Sequence, residues 1–218
     1  DGTLLDLHFD NFFWFDHLPR RYAEAHGMST TDAKAWLERK IRQYEGTLQW
    51  YCLDHWSELT ELDIPALKRE ISEKIQLRPH AEDFLSRLKG LNKKLVLITN
   101  AHRAGLDIKL DVTRIDRWLD IIISSHDYQT PKEEQEFWQQ LMQQEHFDKQ
   151  RTLFIDDTPK ILRSAGLFGI KHLLCITSPD SNRPKKDAEE LPGIQHFDEI
   201  MPAQGSAEAL GLETSKHR

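Results

Sequence analysis

From Pro79 onward the sequence repeats one plan: a short apolar run ending in polar residues, then a stretch with apolar residues at helical spacing. The apolar runs cover residues 95–99, 119–125, 152–156 and 172–177, and the clearest helical stretch carries Phe137, Trp138, Leu141 and Met142. Runs this short read as strands buried on both faces. Strands that alternate with helices make a parallel sheet covered on both sides, because every parallel pair needs a crossover. Such sheets bind ligands beyond the carboxyl ends of their strands, and there this sequence collects its polar residues.

Before Pro79 the pattern is helical only. An early helix is expected over residues 11–26, stopped by Gly27. Ser29 and Asp32 supply cap chemistry for a second, in which Ala33, Trp36, Leu37, Ile41 and Tyr44 fall on one face. Residues 48–62 read as a third helical stretch, and Ile64-Pro65 opens a fourth that runs to about Ile75. The 218 residues are enough for one α/β domain with an insert. The expected division is an α/β core from residues 1–8 and 79–203, a helical insert over 9–78, and a disordered tail over 204–218, where pattern is lost.

The formal charge, 29 − 36 = −7, disfavours nucleic acid and anionic membranes as partners. No run approaches the ~18 apolar residues of a membrane span, so a cytoplasmic protein is expected. Cys52 and Cys175 are far apart and lack metal-ligand spacing, which makes both small core residues of a reducing compartment. The 11 histidines form no HxH or HExxH pattern and read as ordinary surface or core residues.

Four polar clusters follow the strands or begin the chain: Asp1-Gly2-Thr3, Thr99-Asn100, Thr130-Pro131-Lys132 and Asp156-Asp157. Alone, each has an ordinary reading as a turn or a cap. Lys132 is the most telling, because Thr130 and Pro131 suit a helix start, where a lysine opposes the helix dipole. The expectation is a phosphate shared by Lys132 and the helix N-terminus. Asp156 and Asp157 repel each other unless a cation or donors compensate, and hard oxygen ligands of this kind suit Mg²⁺. Thr99 and Asn100 can offer a hydroxyl and N–H groups to a phosphoryl oxygen.

In this order, with a helical insert between the first two, the clusters resemble the motifs of the haloacid dehalogenase superfamily: Asp-x-Asp-Gly-Thr, a Ser or Thr ending the next strand, a Lys, and an acidic pair. The resemblance implies a Rossmannoid parallel sheet with helices on both faces and an inserted helical cap of type C1. It implies an Mg²⁺-dependent phosphomonoester hydrolase in which Asp1 is the general acid/base and touches the metal with Asp156 and Asp157, while Thr99, Asn100 and Lys132 hold the phosphoryl group. The nucleophile would stand two residues before Asp1, so the native chain is expected to start earlier. Residues 9–14 and 48–58, with Thr99-Asn100-Ala101-His102 and residues 152–157, look like the superfamily's bacterial nucleotidases for GMP and IMP. The implied partner is then a purine nucleotide, with aromatic residues of the cap available for stacking, although Trp14, Trp50 and Trp56 read more simply as packing. Two alternatives are another small phosphate ester (a sugar phosphate, phosphoglycolate or flavin mononucleotide) and an inactive anion-binding descendant.

Overall fold

Local chemistry sets the helix ends in the first third of the chain. The computed structural model describes residues 1–203; the tail expected over 204–218 lies outside them. The Asp6 carboxylate accepts the His8 N–H and opens α1 (His8–Phe12). A π-helical turn, Phe13–His17, joins α1 to α2 (Leu18–His26), which stops at Gly27 with φ 63°. The helix expected over 11–26 therefore starts three residues earlier and widens in its middle. Ser29 accepts the Asp32 N–H and opens α3 (Thr30–Tyr44). The stretch read as continuous over 48–62 is broken: α4 (Leu48–Tyr51) and α5 (Leu53–Thr60) meet at Cys52, whose ψ of 110° is extended. Asp63 caps α6 (Ile64–Arg69), which ends earlier than expected and gives way to a single 3-10 turn, Ser72–Lys74.

The apolar faces of these helices close on one another around Phe9, Phe13, Leu37, Trp56 and Ile64. Ile108, from the α/β part of the chain, joins the same cluster and fixes the helical block to that part.

After Pro79 come α7 (Ala81–Gly90), β1 (Val96–Thr99), α8 (Arg103–Thr113), β2 (Ile121–Ser124), α9 (Gln135–Gln144), β3 (Leu153–Asp156), α10 (Pro159–Phe168), β4 (His172–Ile176) and β5 (Gly193–Ile194). Every strand pair is parallel. The single sheet expected from the sequence is present as two parts: β1 pairs with β2, and β3 with β4 and then β5. The free edges of β1 and β3 line one cleft of about 1430 Å³. Two-residue β5 was not foreseen; too short to show a period, it is marked by buried Ile194.

The chain crosses between the helical block and the sheets twice, and the crossings pair. Leu5 bridges Leu77 antiparallel, Arg78 N–H donates to the Leu4 carbonyl and Asp6 N–H to that of Gln76. Buried Arg78 also donates to the carbonyl of Gln195, so the start of the chain is tied to the last strand. Among the described residues no helix is long and apolar enough to cross a membrane.

Trp138 is fully buried, and its indole N–H donates to the Lys132 carbonyl and the Ser164 hydroxyl. Trp138→Ala should lower unfolding free energy by about 3–5 kcal/mol, read by urea denaturation.

Candidate active site

The strand ends converge. Asp1, Thr99, Asn100, Lys132, Asp156 and Asp157, the six residues singled out in the sequence, all line the cleft between the two sheet parts. β3 delivers Asp156 at its last position, and β1 delivers Thr99 in the same way. Lys132 is buried, and its Nζ lies 2.6 Å from Asp156 Oδ2. The other oxygen of Asp156 accepts the Thr158 N–H at 2.9 Å, so this carboxylate is held at both ends. The Thr99 hydroxyl accepts the Ala101 N–H and thereby folds the loop after β1 back over the strand end.

The neighbouring Asp157 is held differently. Burial, and then the charge of Asp156, push its pKa up to about 6. Gly2, at φ 70°, presses its backbone against the carboxylate: a Cβ there would stand 2.4 Å from Asp157 Cγ. Lys186, from a segment that reads as an ordinary loop, brings its Nζ to 3.9 Å. Two adjacent buried carboxylates with a strained charge balance, offering only oxygen atoms, fit a hard divalent cation of the Mg²⁺ kind, with Asp1 beside them.

One expectation needs correction. Lys132 does not open a helix: residues Pro131 to Glu134 form a turn, closed by the Glu134 N–H on the Pro131 carbonyl, and α9 begins at Gln135. Pro131 starts the turn, not the helix, and the Lys132 ammonium is directed to Asp156 instead of sharing an anion with a helix end. Asn100 has no side-chain atom to spare: its carbonyl accepts the Lys132 N–H at 2.9 Å, and its amide donates to Glu133 at 2.9 Å. Its side chain thus positions Lys132.

Sequence reasoning missed a second set of charges. Lys109 of α8 lies 2.5 Å from Asp1 Oδ1 and 2.7 Å from Asp10 Oδ2, and Lys68 of α6 lies 2.9 Å from Asp10 Oδ1. Both lysines are buried. Burial alone would raise the pKa of Asp10, but Lys109 and Lys68 outweigh it and hold the carboxyl well below the usual range. Burial draws Lys68 down to about 8, against the pull of Asp10. The signal available in the sequence was a lysine on the core-facing stripe of a helix: Lys68 four residues after Ile64, and Lys109 three after Leu106. Tyr51, also missed, donates its hydroxyl to Glu133 at 2.7 Å; burial and that carboxylate keep the phenol protonated.

The tryptophans divide. Trp56 is fully buried and donates its N–H to the Trp50 carbonyl, whereas Trp14 and Trp50 line the cleft. Cys175 is buried, as expected. Cys52 is only half-buried and sits beside two histidines, contrary to its reading as a plain core residue.

Comparison with known proteins supplies the family. Residues 1–175 match the model of the haloacid dehalogenase-like hydrolases. The chain belongs to this family. The hydrolase is 38% identical over 203 residues to the GMP/IMP nucleotidase YrfG of Escherichia coli, covering 93% of this chain and 91% of that one. Its fold matches a haloacid dehalogenase phosphatase from Thermococcus onnurineus with a TM-score of 0.76 at 18% identity, over 92% of both chains. A putative β-phosphoglucomutase from Thermotoga maritima gives 0.66, also at 18%, over 92% of this chain and 93% of that one. The hydrolase therefore has the Rossmannoid fold of the superfamily, with every strand pair parallel.

The buried charges generate two predictions. Asp10→Asn strips Lys68 of its carboxylate and leaves Lys109 with Asp1 alone, and should cost roughly 3–5 kcal/mol in urea unfolding. For Asp157, a folded-state pKa near 6 against an ordinary value of 3.8 means that the metal-free protein loses stability as pH rises through that window. A cation reverses the loss, so Mg²⁺ should raise Tm clearly at about pH 7.5 and little at about pH 5; a thermal shift assay reads the difference.

Proposed function

We propose that the hydrolase removes the phosphate from purine mononucleotides, GMP and IMP in the first instance, with Mg²⁺ as cofactor. The observation that carries this reading is the Lys132–Asp156–Asp157 cluster placed against Asp1 and Thr99, in a chain 38% identical over nearly its full length to a nucleotidase named for those substrates.

The charge arithmetic supports a phosphate ester. Around the polar strand ends the cleft sets Asp1, Asp10, Glu133, Asp156 and Asp157 against Lys68, Lys109, Lys132 and Lys186, and further charged residues of both signs line the rest of it. A phosphate dianion and a divalent cation enter together without changing that near-balance. Lys132 and the Thr99 hydroxyl hold the phosphoryl oxygens, and N–H groups of the loop after Thr99 add donors where charge grows in the transition state. When bound by Asp156, Asp157 and Asp1, Mg²⁺ supplies neutralisation of the phosphoryl charge.

Asp1 acts as general acid toward the leaving oxygen and then as general base toward water, with Lys109 fixing its orientation through the 2.5 Å contact. The attacking group in this reading is an aspartate two positions ahead of Asp1, which forms and loses an aspartyl-phosphate. The helical block over residues 9–78 serves as a cap of type C1 on a core of residues 1–8 and 79–203. Trp50 and Tyr51, whose rings lie 5.0 Å apart, and Trp14 offer the purine an aromatic wall.

The test is phosphate release from GMP, IMP, AMP, sugar phosphates, phosphoglycolate and flavin mononucleotide, with and without Mg²⁺, by the protein carrying the residues ahead of Asp1. The expected result is the highest kcat/KM on GMP and IMP and none without a divalent cation. Higher kcat/KM on a non-nucleotide ester transfers the site to that substrate, and no release from any ester refutes a phosphatase. Asp1→Asn should lower kcat by about 10²–10⁴-fold while leaving KM within a few-fold.

A further inference from the structure

One cluster of ligand-type side chains lies beside the candidate active site and takes no part in the chemistry above. Cys52, His102 and His126 each present one ligand atom, and these atoms lie within 4.8 Å of one another. The three come from separate places: Cys52 from the break between α4 and α5, His102 from the position before α8, and His126 from the 3-10 turn after β2.

The state of the two rings is unusual. His102 and His126 meet edge to face, with centroids 4.9 Å apart and planes at 87°. His102 turns Nε2 to Asp54, 3.5 Å from its Oδ2, and its Nδ1 is buried without a partner. His126 leaves its Nε2 buried without a partner. A buried ring nitrogen with no partner is costly, and two in one cluster point to a shared ligand. The far side of the His102 ring meets a carboxylate, the kind of partner that orients a metal-bound imidazole.

We propose that Cys52, His102 and His126 bind one Zn²⁺-class cation at a site distinct from the carboxylate cluster, with Asp54 orienting His102. One thiolate and two imidazoles suit a borderline-soft ion and not Mg²⁺, which takes oxygen ligands. Zinc bonds of ~2.0–2.3 Å place tetrahedral ligand atoms about 3.3–3.8 Å apart, so the present spacing closes by side-chain rotation. The fourth position is left to water.

The placement gives the ion a mechanical effect. Cys52 belongs to the helical block, whereas His102 and His126 belong to the strand-end loops, so an ion shared by all three pins the block to the sheets. His102 also lies in the loop that holds Thr99 and Asn100, which joins the pin to the candidate active site.

The test titrates Zn²⁺ into the metal-free, reduced full chain, with excess Mg²⁺ present and a chromophoric chelator in competition; no substrate is needed. One equivalent should bind, and Co²⁺ in its place should give a thiolate-to-metal absorption. Cys52→Ser should abolish that absorption. Cys52→Ser and His126→Gln should each weaken Zn²⁺ binding at least about tenfold, and Asp54→Asn by about tenfold. Asp156→Asn should leave it unchanged. No zinc binding, no thiolate absorption in the unmutated chain, equal binding in Cys52→Ser and His126→Gln, or loss of binding in Asp156→Asn would each overturn the proposal. The cobalt spectrum needs no variant to fold, so it decides by itself.

Discussion

The buried charges hold the functional end of the molecule together. Moving an ion out of water costs several kcal/mol even after relaxation, and here Lys68, Lys109, Lys132, Asp156 and Asp157 are all buried. None of these groups can be accommodated alone. Asp10 satisfies two lysines at once, Lys109 reaches on to Asp1, and Lys132 closes on Asp156. The helices α1, α6 and α8 and the end of β3 have no freedom to separate without stranding a charge. Apolar packing brings the elements together, and the charge set selects the one arrangement in which the carboxylates and ammonium groups face a common space.

The sequence shows the strands and most of the helices, because hydrophobic period and cap chemistry are local. Val96 to Thr99 and Leu153 to Asp156 announce themselves as apolar runs with polar ends. Gly27 and Ser29 mark a helix end and a helix start by their own backbone and side-chain preferences. The break at Cys52 is not announced, since neither Tyr51, Cys52 nor Leu53 disfavours a helix strongly; tertiary packing around Trp56 overrides propensity there. Lys132 misled for a related reason. Thr130-Pro131 is good helix-start chemistry, but the Asn100 carbonyl takes the Lys132 N–H and holds the segment as a turn.

Of the site, the strand-end residues could be read and the helix-borne ones could not. Asp1, Thr99, Lys132 and Asp156 stand beside recognisable punctuation. Lys109, Lys68, Asp10 and Tyr51 acquire meaning only when elements distant in sequence are brought together, 99 residues apart for Lys109 and Asp10. The same holds for Cys52, His102 and His126, whose spacing in the chain fits no ligand pattern. A lysine on the buried stripe of a helix is the one local sign that such a network exists, and it is weaker than a motif because snorkelling lysines are common.

Gly2 carries a consequence beyond its turn. Its backbone packs against the Asp157 carboxylate, both oxygens included, with less room than one methyl group requires. A φ of 70° is open to glycine at little cost. Any side chain here, alanine's included, would have to displace the carboxylate, so Gly2 serves the acidic pair by what it lacks.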